Sequence, residues 1–139
     1  MSDNFKENLR KTIKESKEAK ERHQDELDQF ANTWHRLKDS GWVASALRTA
    51  VTVLTEEKVH ANIDALNSRI TLAIYKSPKE RPQHSFTLTP DKEKMRIILS
   101  SSANQEDELF DLAGLDESTL KARISDFVRV ALGPEQSTQ

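Results

Sequence analysis

The chain has 139 residues, 35% of them hydrophobic and 32% charged, with 21 Lys and Arg against 23 Asp and Glu, three Gly, four Pro and no Cys. One domain fits that length, and an apolar share below the usual ~45–50%, with charge above the usual ~25%, predicts that much of the chain is solvated helix surface. The missing Cys excludes disulfide frameworks, thiol nucleophiles and Cys-ligated zinc, and the glycines stand in neither GxGxxG nor GxxxxGK spacing, which excludes a glycine-rich phosphate loop.

The net charge of −2 is unevenly spread: residues 1–40 carry 9 basic and 9 acidic side chains, residues 41–102 carry 9 and 6, and residues 103–139 carry 3 and 8. Such a split lets subunits or partners orient electrostatically. No apolar h-region opens the chain and no run of 18 uncharged apolar residues occurs, so the expectation is a soluble, cytoplasmic protein without a membrane partner.

Residues 4–38 contain no Gly or Pro and are rich in Glu, Lys, Arg, Leu and Ala, which predicts one long helix. Glu7 with Lys11 and Glu18 with Arg22 are i,i+4 pairs in the favourable orientation. Phe5, Leu9, Ile13, Leu27, Phe30, Trp34 and Leu37 fall on one seam whose centre, Ser16, Lys20 and His23, is polar. That polar centre argues against a continuous parallel coiled coil. Residues 27–37 are expected to pack on the chain's own domain and Phe5 to Ile13 on another subunit, the alternative reading being that the first 25 residues are a partly ordered charged arm.

Asp39-Ser40-Gly41 reads as a turn, after which Val43, Leu47, Ala50 and Leu54 recur at helical spacing. The β-branched stretch from Ala50 to Leu54 also suits a short strand. A second helical run is expected over Glu56–Leu66, through Val59, Ile63 and Leu66, with a bend near Thr55. The period then changes to two. Ile70, Leu72 and Ile74, then Phe86 and Leu88, then Met95, Ile97 and Leu99 alternate with polar neighbours, predicting a three-stranded antiparallel meander with one apolar face. Asn104 is placed to cap a short helix beginning Gln-Glu-Asp-Glu and ended by Gly114, and Asp116 a final helix ended by Gly133-Pro134.

Few residues suggest chemistry. Ser100, Ser101 and Ser102 lack an adjacent base and a GxSxG turn. Glu56, His60 and Asp64 stand at i, i+4, i+8, a spacing that puts three possible metal ligands on one helical face but equally describes a solvated one. Glu106, Asp107, Glu108 and Asp111 are explained by a helix N-terminus, which favours acids. No catalytic residue, metal or cofactor is therefore expected, and the protein is read as non-enzymatic.

The fold expectation is α+β: a long N-terminal helix, a bent second helix, the meander, and C-terminal helices on one sheet face. Residues 1–40 form a charged arm, 41–133 the core domain and 134–139 a disordered tail. The sheet should pack on Val43, Leu47, Leu54, Ile124 and Phe127. The expected function is protein binding, as an adaptor or chaperone-like protein, with dimerisation through the first helix using Phe5, Leu9, Ile13, Leu27, Phe30 and Trp34. Helix-sheet-helix modules of this size also serve as secretion chaperones and toxin-neutralising proteins, an analogy of fold alone. The alternative is nucleic-acid association through Arg10, Lys14 and Lys17 on the helix and Arg69, Tyr75 and Arg96 on the polar sheet face.

Overall fold

The computed structural model describes residues 2–66, 68–77, 79–104 and 106–133, so the expected tail at 134–139 lies outside the described residues. The uninterrupted helical composition of the N-terminus produces a single helix, α1 (Ser2–Asp39). Its last turns are buried, with Phe30 and Trp34 in the core and the Trp34 indole donating a hydrogen bond to the Ser68 carbonyl. Lys38 lays its stem against the same core while its ammonium meets Asp39 at 2.9 Å, a bond that holds the Asp39 carboxyl below the ordinary range.

The helix stops where the Ser40 and Gly41 amides both turn back to the Arg36 carbonyl. A Cβ at Gly41 would lie 2.8 Å from the Leu37 Cα, so this close approach needs glycine. α2 (Trp42–Glu56) follows and buries Val43, Ala44, Ala46, Leu47 and Leu54, which settles Ala50 to Leu54 as helix.

The expected helical run over Glu56–Leu66 is a strand instead. Lys58 takes a left-handed conformation (φ 66°), its amide returning to the Thr55 carbonyl and the Val59 amide to the Leu54 carbonyl. This is a Schellman stop, with Val59 folding back toward the Leu54 turn. A lysine occupies the position where glycine usually announces such an end, so no bend at Thr55 is needed.

Five antiparallel strands then run in simple order: β1 (His60–Asp64), β2 (Ile70–Tyr75), β3 (His84–Asp91), β4 (Arg96–Ser101) and β5 (Glu108–Asp111). The three predicted strands are the central ones, and β1 and β5 are added at the edges. β5 replaces the short helix expected after Asn104: Leu99 pairs with Glu108 and Ile97 with Phe110, because the open edge of β4 offers backbone partners that outweigh local helix signals. Met95 is not the first strand residue. It takes a left-handed turn conformation (φ 51°), and β4 begins at Arg96.

Register divides the sheet into two faces. Ile63, Leu72 and Phe86 lie abreast, as do Ile70, Leu88 and Leu99, and Ile97 with Phe110. This face packs on α2 and on one C-terminal helix, α3 (Glu117–Leu132), through Leu47, Leu120, Ile124 and Phe127. The Phe86 and Phe127 rings meet at 5.5 Å. The Asp116 carboxylate accepts from the Thr119 amide at 2.7 Å, the predicted cap, and that bond lowers the Asp116 pKa. Arg123 donates to Glu108 at 2.7 Å, joining α3 to β5 and raising the arginine's pKa. The architecture is α+β, with all of the covering helices on one side. The expected core residues are buried, Met95 excepted.

Candidate functional site

Propensity alone carries the first two thirds of α1. Every described side chain from Asn4 to Glu26 is exposed, and burial begins at Leu27. That stretch projects about 35 Å from the domain. Phe5, Leu9 and Ile13 form its apolar stripe and are 68%, 48% and 48% exposed. Apolar side chains repeated at i, i+4, i+8 on a helix that touches nothing else make a self-contained binding edge.

Of the six residues expected at a partner surface, the structure thus leaves Phe5, Leu9 and Ile13 free and Leu27 half-buried at the foot of the arm. Phe30 and Trp34 are corrected to core, at 6% and 1% exposure. They share the seam, but α2 and the β1–β2 turn already occupy their side of the helix. Trp42, the second tryptophan of the junction, is half-buried.

The six candidate nucleic-acid residues are not brought together. Arg10, Lys14 and Lys17 flank Ile13 on the arm, interleaved with Glu18 and Glu21. On the open sheet face Arg96 is bound to Asp91 at 2.9 Å and stands in register between Asp91 and Asp111. The Tyr75 hydroxyl donates to Asn62, and Arg69 sits in the β1–β2 turn. The open face therefore presents threonines and serines with more acid than base, Asp64, Asp91 and Asp111 against Arg96. Thr71 and Thr87 are hydrogen-bonded to each other at 3.0 Å across it.

Among the described residues no group of three His, Cys, Asp or Glu side chains is arranged to hold a metal ion. His60 and Asp64 lie on the open face of β1, while Glu56 ends α2, so the helical spacing that grouped them is gone. Ser100 and Ser101 close β4, and the Ser102 hydroxyl accepts from the Ser85 amide at 3.0 Å, a structural use. Among the described residues no helix is long and apolar enough to cross a membrane. Compared with known proteins, the chain matches no family model, no curated protein and no solved structure.

Proposed function

We propose that the protein is a small, non-enzymatic binding protein that dimerises through the exposed part of α1, with the rest of the domain free to act as an adaptor. The observation that carries this reading is the stripe of Phe5, Leu9 and Ile13, held in water on the part of α1 whose described side chains are all exposed.

Charge selects a second copy, and its direction. Residues 1–14 carry Lys6, Arg10, Lys11 and Lys14 against Asp3 and Glu7, a net of +2, whereas residues 15–28 carry six acids against three bases, a net of −3. Parallel pairing sets like charge on like; antiparallel pairing sets each segment against its complement. An antiparallel pair centred on Ser16 brings Phe5 level with Leu27 of the other copy. The small, polar Ser16 then meets itself at the crossing, and Lys20 and His23 are each moved away from their own counterparts. Six exposed apolar side chains make a small interface, so the dissociation constant is expected on the order of micromolar.

Sedimentation equilibrium tests the reading. Dimer should form as concentration rises, and Ile13→Asp should abolish it while the domain stays folded. A strictly monomeric wild-type chain at high concentration would overturn it. The nucleic-acid alternative has less support, since its residues are dispersed and Arg96 is already paired. It predicts nucleic-acid binding that weakens steeply between ~50 and ~200 mM salt, a range in which an apolar dimer changes little.

A further inference from the structure

At the foot of the arm α1, the β3–β4 turn and the segment after β5 border a shallow, open groove of about 750 Å³, a surface on which a helix can lie rather than a pocket that buries a small ligand. Its floor is apolar: Phe30 lies beside the half-buried Trp42, Met95 and Leu112. Glu26 and Asp111 stand at its rim with one base, Lys94. The acids Asp25 and Asp28 are on the adjoining turn of the helix.

We infer that this groove receives the tip of the arm of a second copy, Phe5 entering at the edge of the apolar floor and Lys6 meeting the acidic rim at Glu26. The inference rests on the antiparallel pair proposed above and says where that pair ends. Three properties of the molecule select the occupant. The tip is apolar with basic flanks, and the groove is apolar with an acidic rim. Reach agrees: from Ser16, eleven residues of helix lead either to Phe5 or to Leu27, so a copy centred there delivers its tip one turn from Phe30. A chain's own tip cannot fold back onto the groove, since α1 is one uninterrupted helix from Ser2 to Asp39 and Phe5 lies more than twenty residues along it from Glu26 and Phe30. Twofold symmetry then makes the contact reciprocal, each copy supplying one tip and one groove.

The native chain has no cysteine, so single introduced thiols report contacts without background. Ser16→Cys should self-link under mild oxidation, which reads the crossing point. A mixture of Asn4→Cys and Gln29→Cys chains should link to each other across copies, because Gln29 lines the groove and both positions are exposed. Glu26→Lys should weaken the dimer roughly two- to fivefold, and Lys6→Glu in the same chain should recover part of that loss, as an exposed ion pair allows. If Ser16→Cys links but Asn4→Cys and Gln29→Cys do not, the groove assignment falls and the antiparallel pair stands. Self-linking of Asn4→Cys shows a parallel pair and overturns both, as does a monomer that links nowhere.

Discussion

The two parts of α1 are built from the same strong helix formers and meet opposite fates. From Leu27 to Asp39 the helix is anchored by Phe30, Trp34 and Lys38; from Asn4 to Glu26 it touches nothing of its own domain. The free stretch has no packing to stabilise it, so the cost of nucleation is met by propensity and by pairs such as Glu7–Lys11 alone. The anchored part serves as a preformed nucleus for the free part. Sequence propensity sets the helix, whereas burial decides which of its residues are stability determinants and which are available for binding.

Trp34→Ala attacks the anchored side and should have the largest effect, about 3–5 kcal/mol in denaturant unfolding, because it empties a fully buried site and orphans the Ser68 carbonyl. Gly41→Ala comes next. Its methyl would meet the Leu37 backbone, and the strain should cost about 1–3 kcal/mol and loosen the α1–α2 junction without changing the arm's own sequence. Acid separates the core from the arm more gently. The Asp116 carboxylate, stabilised by the Thr119 amide and lowered in pKa, contributes stability above its unfolded pKa that is lost as pH falls through its folded value. Asp116→Asn keeps a capping oxygen, so urea midpoints should match wild type near neutral pH, and the variant should lose less in acid. The smallest effect on the domain is expected of Ile13→Asp, within about 0.5 kcal/mol of wild-type unfolding in dilute solution. The same variant should remove the concentration dependence of helical circular dichroism, which in wild type should fall on dilution as the arms separate. A large loss of domain stability in Ile13→Asp would show that the arm is part of the folded core after all.

Elements with internally consistent signals were legible in the sequence: the long helix, the central strands with their two-residue period, the Asp116 cap and most of the core. The two edge strands were not, and for a shared reason. Val59, Ile63 and Leu66 repeat at helical spacing, and the acids before Leu109 resemble a helix's first turn, while the pairing that makes strands of both segments comes from the backbone of the adjoining strand and leaves no mark within the segment itself. Lys58 concealed the helix stop, since its left-handed backbone is forced by the return of Val59 onto the Leu54 turn and leaves no mark in composition. At the candidate site the stripe Phe5, Leu9 and Ile13 was readable. That Phe30 and Trp34 turn inward depends on α2 and on Ser68, and that Phe30 shares a groove with Met95 and Leu112 depends on segments more than sixty residues further along the chain; neither was readable.

The strict order of the sheet bears on how the molecule reaches its structure. Each strand pairs only with its neighbours in sequence, so the meander can zip one hairpin at a time, with little loop-closure entropy to overcome at any step. The distant closures, Trp34 onto Ser68 and α3 back onto α2, can follow on a sheet already formed. The arm enters none of these steps. Refolding of the domain should be a concentration-independent first-order process, and assembly of two copies a separate, later event whose rate rises with protein concentration.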